Sequence, residues 1–314
     1  MTLQQLKYII AIYHHRNFAK AAEELRVTQP TLSSMLVKLE EELDLRIFER
    51  SNKRVVPTAA GEKIVAQAQR ALREVERIGE LVAEDKGQTS GNFALSVGPT
   101  IAPYILPQFI HHYTNNYPQV ELNIVELKAE TMIQELLQGT LDAGMAISGN
   151  QQTGILEIPL YTEAFWVYLS EQCWRKLPVF RPENLEHEQM WIMKEAQCLR
   201  ESAFSFCKAR SVGKKIYEAG SIETLIRIVD LNGGFTIIPE MHLPFLLEKQ
   251  RENVRRIEGD YRSQRRISLY IKEEYVRERM LNTVTDTLRS FLPSGMRAYF
   301  EVWSEAVGGA GREF

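Results

Sequence analysis

The chain has 314 residues, 44% of them apolar and 25% charged, with a net charge of −3. That length exceeds one ordinary core and implies two or three domains, while no apolar run approaches the ~20 residues that span a bilayer. The three cysteines are too few for a disulfide framework, so any pairing between them is expected to be transient or regulatory.

The N-terminus alternates apolar and polar residues and lacks the basic start and long apolar block of a secretory leader. A cytoplasmic location without membrane contact is therefore expected. Residues 1–60 carry nine Lys/Arg and seven Asp/Glu, so this segment is +2 and the remainder −5. The sign of that asymmetry fits a DNA-binding head on an acidic body.

Leu3, Leu6, Ile9, Ile10 and Tyr13 recur at helical spacing, and the pattern stops at His14 to Asn17. A second helix follows over Phe18 to Leu25, with Phe18, Ala21, Ala22 and Leu25 on one face. After a turn at Arg26 and Val27, Thr28 caps a third helix in which Pro30 costs little because the first-turn N–H groups have no helical partner. Leu32, Leu36, Leu39 and Leu43 form its apolar face. Gln29, Thr31, Ser33, Ser34 and Lys38 form the other, with side-chain types that reach base edges and phosphates. Two short helices joined by a tight turn make a helix-turn-helix; a plain three-helix bundle with a solvated face has the same periodicity. Leu45 to Arg50 and Arg54 to Val56 read as a hairpin tipped by Ser51, Asn52 and Lys53, with Arg50, Lys53 and Arg54 as phosphate contacts.

The motifs Phe18-Ala-Lys-Ala21-Ala22, Gln29-Pro30-Thr31-Leu32-Ser33, Leu39-Glu40, Ile47-Phe48-Glu49-Arg50 and Thr58-Ala59-Ala60-Gly61 occur in one order. In that order and spacing the head resembles the LysR-type transcriptional regulators. The resemblance implies an α+β multi-domain protein: a winged helix-turn-helix, a coiled-coil linker helix and a two-lobed α/β regulatory domain of periplasmic-binding-protein type. It also implies double-stranded promoter DNA and RNA polymerase as partners, a homo-oligomer that is a dimer of dimers, and no enzymatic activity.

Thr58 can cap the next helix, in which Ile64, Ala68, Ala71, Val75, Ile78 and Val82 follow a heptad seam. The charged faces between them predict a seam between two chains rather than a buried core helix. Residues 86–91 then read as a flexible linker. Beyond it, strands and helices alternate, the signature of a doubly wound sheet. Strands are predicted at Phe93–Val97, Glu121–Val125, Gly144–Ile147, Phe165–Leu169, Met190–Met193, Phe235–Ile238 and Arg266–Ile271. The chain crosses between two lobes near Tyr161 and near Arg266. The expected domains are 1–58 for the head, 59–86 for the dimerising helix, 91–161 with 267–292 for lobe I, 162–266 for lobe II, and 293–314 for the tail. Ligands in such sheets bind beyond the carboxyl ends of the strands, which is where Thr100 falls.

Cys198 and Cys207 are nine residues apart in a segment of helical composition. Nine helical steps separate Cα atoms by about 13.5 Å, whereas a disulfide needs about 4.4–6.8 Å. If the reduced segment is helical, bonding must unwind it. Arg200 favours a thiolate, but two buried, inert thiols fit the same residues. No His or further Cys lies at zinc-ligand spacing, so neither metal nor cofactor is expected.

Cys198-Leu-Arg200 with Cys207, the Pro99-Thr100 and Pro103-Tyr104 turn, Leu141-Asp142, Ser221 to Leu225 and Gly234 to Pro239 together resemble the hydrogen-peroxide-sensing activators of the LysR-type family. That resemblance implies Cys198 as the peroxide-reactive thiol, Cys207 as its resolving partner and a cytoplasmic dithiol as reductant. It further implies that Thr100 helps hold the peroxide and that an Arg of the Arg265-Arg266 pair, Arg265 being the candidate, adds positive potential near the pocket, with Thr131 as a further candidate ligand. The chain departs from the pattern in having Gln197 before the reactive cysteine, and Ala129 where the second pocket threonine is expected, with Thr131 two residues on. Cys173 has no partner in the pattern and is expected to be structural. A metabolite-responsive regulator with inert thiols and a thiol peroxidase are the competing readings.

Overall fold

The computed structural model describes the chain except residues 52–53, 86–88, 175–179, 181–188, 194–214, 218–220, 258–263, 276 and 297–314. It divides into two units, Met1–Ser90 and Gly91–Phe314.

The first unit begins with α1 (Leu3–His15), α2 (Phe18–Glu24) and α3 (Gln29–Leu43). Thr2 and Gln5 form a capping box on α1, Asn17 caps α2, and the Thr28 hydroxyl accepts from Thr31 N on α3. These side chains satisfy first-turn N–H groups that have no partner inside the helix. Leu6, Ile9, Ile12, Ala21, Ala22, Leu32, Leu36 and Leu39 pack into one core. The hairpin β1 (Phe48–Ser51) and β2 (Arg54–Pro57) follows as an antiparallel pair. Glu40 ties the hairpin to α3: its Oε1 accepts from Ile47 N at 2.7 Å and Phe48 N at 3.1 Å. The Leu39-Glu40 motif thus holds the recognition helix to its wing.

Helix α4 (Ala59–Asp85) starts where Gly61 N donates to Thr58 Oγ1 at 2.8 Å. The seam expected along α4 is divided. Val65 and Ala68 are buried in the head's own core, with Ile64, Ala71 and Leu72 packed against it. Only Val75, Ile78, Leu81 and Val82 remain exposed. The near half of the stripe therefore faces α1, which lies alongside it, and the far half is what a second chain can cover.

In the second unit, β3 (Gly91–Val97), β4 (Val120–Glu126), β5 (Ala143–Ile147), β6 (Ile155–Leu169), β9 (Phe235–Pro239), β10 (Val254–Arg256) and β11 (Gln264–Lys272) join in one mixed sheet. Its order is β10-β6-β11-β5-β3-β4, with β9 also on β6. The pairs β3–β4 and β3–β5 are parallel; those made by β6 and β11 are antiparallel. A separate parallel pair joins β7 (Trp191–Met193) to β8 (Lys215–Tyr217). Helices α5 (Ala102–Asn116), α6 (Ala129–Leu137), α7 (Ile222–Asn232) and α8 (Glu278–Phe291) cover the sheet. Phe93, Leu95, Ile105, Phe109, Met145, Leu160, Ile267, Leu269, Val284 and Leu288 are among the residues of the larger core.

Strand β6 is longer than its apolar pattern predicts. Its first half contains Glu157 and Pro159, and the register with β11 shifts next to Pro159. Proline lacks a ladder donor and is accommodated at such irregularities. The short β10 was not expected at all; it pairs only with the outer half of β6.

Gly61 approaches the head so closely that a Cβ would drive into the Ile47 carbonyl oxygen. Gly61→Ala is expected to destabilise the head by about 1–3 kcal/mol through overpacking. Thermal unfolding of the full chain should show the head's transition lowered and the body's unmoved.

Candidate functional site

On the head, Gln29, Pro30, Thr31, Ser34 and Lys38 are exposed on α3, and Ser33 is half-buried. Thr31 and Ser34 are partly engaged within the helix: Thr31 Oγ1 lies 2.9 Å from Thr28 Oγ1, and Ser34 Oγ donates to Thr31 O at 3.0 Å. Gln29 and Lys38 are therefore the longest side chains of that row presented to solvent. Arg50 and Arg54 fall on β1 and β2, and Lys53 lies outside the described residues.

In the body, β3 and β4 are parallel and end together at Val97 and Glu126. The turn carrying Thr100 and the start of α6 therefore emerge side by side at the carboxyl edge of the sheet. Thr131 sits in the first turn of α6, exposed. Thr100 precedes α5 and is gripped from below. Arg265, on β11, donates from Nη1 to Thr100 Oγ1 and from Nη2 to Thr100 O, each at 3.0 Å. Its Nε donates to Glu163 Oε1 at 2.7 Å. Arg265 is 4% exposed and Glu163 1%.

A buried ion pair of this kind is stable only when its remaining polar atoms are satisfied. Here they are met from a third segment, since Glu163 Oε2 accepts from Met241 N at 3.1 Å. Burial works against the guanidinium's charge, but Glu163 outweighs it and the Arg265 pKa ends above its ordinary value. Tyr161, beside the pair, is raised well above the ordinary phenol value, chiefly by burial and then by the Glu163 charge. A guanidinium has donors and no acceptor. The oxygen of Thr100 is thus an acceptor towards Arg265, and its own proton must be directed elsewhere.

One turn further along α5, the Tyr104 hydroxyl lies 2.9 Å from Nδ1 of His242, both buried. Tyr104 packs against Tyr168, Ile222, Leu225, Ile226, Val229 and Ile238, a cluster otherwise built from the far half of β6, α7 and β9. Burial raises the Tyr104 pKa beyond the ordinary phenol range, and burial lowers that of His242 against the opposing charge of Glu223.

The sequence reading anticipated Thr100 and Arg265 but not Glu163, Tyr104 or His242 as parts of the same assembly. Glu163 did leave a trace: it is a carboxylate inside an otherwise apolar strand segment, Tyr161 to Leu169. Cys198, Cys207 and Arg200 lie outside the described residues, and Cys173 falls in a one-turn helix, Glu171–Trp174. Among the described residues there is no group of His, Cys, Asp and Glu fit to hold a metal ion, and no helix long and apolar enough to cross a membrane.

A winged helix-turn-helix, a long amphipathic helix and a mixed-sheet body together define the DNA-binding regulator class. Residues 3–62 match the bacterial regulatory helix-turn-helix proteins of the lysR family, and residues 86–293 match the LysR substrate binding domain. The chain belongs to the LysR family and is a regulator, not an enzyme. It is 30% identical to a hydrogen peroxide-inducible genes activator of Pectobacterium carotovorum over 81% of this chain and 84% of that one. It is likewise 30% identical to the DNA-binding transcriptional dual regulator OxyR of Escherichia coli, over 81% and 83%. Full-length OxyR of Pseudomonas aeruginosa, solved as a cysteine-to-aspartate variant, superposes with a TM-score of 0.72 at 29% identity, covering 95% of this chain and 97% of that one.

A group whose pKa is depressed by folding binds its proton more readily in the unfolded chain. His242 therefore contributes stability that is fully present above its ordinary value of 6.5 and is lost as pH falls through the lower folded value. His242→Asn, which keeps a nitrogen near Nδ1, is expected to flatten the loss of body stability between about pH 7 and pH 5. Urea midpoints at the two pH values measure it.

Proposed function

We propose that this protein is a cytoplasmic, peroxide-responsive transcription regulator switched by a reversible disulfide between Cys198 and Cys207. The observation that carries the reading is the joint likeness to OxyR in sequence and in fold over most of the chain, together with Cys198 and Cys207 in the sequence itself. In this reading the head is 1–58, the dimerising helix 59–86, lobe I 91–161 with 267–292, lobe II 162–266 and the tail 293–314.

The Cys198 thiolate attacks one oxygen of hydrogen peroxide, the O–O bond breaks, and hydroxide leaves to be protonated to water. The Cys207 thiolate then attacks the sulfenic sulfur, forming the S–S bond and releasing a second water once the leaving hydroxide takes a proton. A cytoplasmic dithiol restores both thiols. Thr100, with its lone pair taken by Arg265, offers its O–H to the oxygen that gains negative charge as the peroxide bond breaks. Thr131 borders the same edge, and Arg200 supplies positive charge beside the thiolate. The exposed Val75, Ile78, Leu81 and Val82 stripe pairs two chains, two such pairs form the working tetramer, and the tetramer engages promoter DNA and RNA polymerase.

On the head, Gln29, Pro30, Thr31, Ser33 and Ser34 lie towards the groove, and Lys38, Arg50, Lys53 and Arg54 neutralise phosphates. Lys38→Ala is expected to weaken binding about equally across operator sequences and to reduce the salt slope by about one. Fluorescence anisotropy over a salt series reads both.

Thiol trapping of the purified protein titrated with peroxide tests the switch. The native protein should lose the Cys198 and Cys207 thiols together, with a changed footprint on DNA. Cys198→Ser should bind DNA and give no peroxide response. A normal response from Cys198→Ser would end the assignment.

A further inference from the structure

Around Thr100 a ring of contacts closes through hydrogen bonds and two short stretches of backbone. Starting at Thr100, its oxygens accept from Arg265, whose Nε donates to Glu163. The other oxygen of Glu163 accepts from Met241 N. The next residue, His242, pairs through Nδ1 with the Tyr104 hydroxyl, and Tyr104 stands four residues beyond Thr100 at the start of α5. Glu240, the first residue of the same Glu240–Phe245 turn, accepts from Ala164 N at 3.2 Å and pins that segment to β6. Four segments distant in sequence, at residues 100–104, 163–164, 240–242 and 265, are thus bound into one largely buried loop of polar contacts. It reaches from the ligand turn to the far half of the sheet.

We infer that Glu163, acting through Arg265, and the Tyr104–His242 pair, acting through the start of α5, are positioning residues that hold the Thr100 hydroxyl as an outward-facing donor. The inference rests on the proposed role of Thr100 at the peroxide site. None of the three needs to touch the peroxide. Glu163 fixes the guanidinium in the one orientation that places a donor on each oxygen of Thr100. The Tyr104–His242 contact fixes the start of α5, and with it the turn from which Thr100 projects. Any change of angle between the two halves of the sheet that moves the Glu240–Phe245 segment must therefore move Met241 N, and through Glu163 and Arg265 it must turn Thr100. Groups that face the ring electrostatically are Glu223, which acts on both His242 and Tyr104, and the Arg265 and Glu163 pair itself.

The sharpest variant is Tyr104→Phe, which keeps the ring and its packing and removes one hydroxyl. Rates of peroxide-driven thiol loss are measured on the full-length reduced protein across pH. Tyr104→Phe and Glu163→Gln should each slow thiol loss, the latter by about tenfold or more as the donor is misplaced. For Tyr104→Phe, which changes no charge, the pH midpoint of the rate should stay at the native value. In a double-variant cycle, Thr100→Val combined with either change should be no slower than Thr100→Val alone. Multiplying effects, a shifted midpoint in Tyr104→Phe, or a native rate in both single variants would overturn the inference.

If the native protein itself loses no thiols to peroxide, the functional reading fails and the ring is judged on stability. Urea unfolding of Thr100→Val, Tyr104→Phe and the double variant should give less-than-additive losses if the ring is real, and strict additivity would refute it.

Discussion

The body is organised around a charge pair placed between two neighbouring strands of the sheet. Arg265 on β11 and Glu163 on β6 face one another in register, Arg265 standing opposite Glu163 in the antiparallel ladder. Both are almost fully withdrawn from water. Desolvating two charges costs several kcal/mol per ion, and only complete hydrogen bonding repays it. That requirement recruits Thr100 from one side and Met241 from the other. The need to satisfy the pair, rather than any strong attraction within it, is what fixes the Thr100 turn relative to the far half of the sheet.

The same economy of partners operates in the head. Glu40 spends one carboxylate oxygen on two backbone N–H groups of the wing. Thr58 bridges the wing's end and the start of α4, donating to Arg46 O and accepting from Gly61 N. The recognition helix, the wing and the long helix are joined by these contacts and by the shared apolar core. The far portion of α4 carries an apolar stripe that the described part of the chain does not cover, which is the physical basis for expecting a second copy there.

Much of the local structure was legible because it depends on near neighbours. Helix starts at Thr28 and Thr58 follow from hydroxyls placed to accept from first-turn N–H groups. The strands Phe93 to Val97 and Phe235 to Ile238 follow from short, mostly apolar runs, each interrupted by one hydroxyl residue. The first half of β6 was hidden by Glu157 and Pro159, whose propensities oppose a strand. Tertiary pairing with β11 overrode them, since ladder hydrogen bonds and the burial of Ile158, Leu160 and Tyr161 outweigh a preference worth about 1 kcal/mol.

What the residues alone determined was the order of elements, the helix caps, the apolar faces, the row of polar side chains on the recognition helix and the presence of the cysteine pair. What only the tertiary structure decided was which distant polar groups meet. Residues 100, 104, 163, 242 and 265 carry no common spacing, because their meeting is set by the antiparallel pairing of β6 with β11 and by the Glu240–Phe245 turn returning to β6. Periodicity records which face of an element is buried. It cannot record the partner on the opposing element, and a buried charge takes its meaning from that partner.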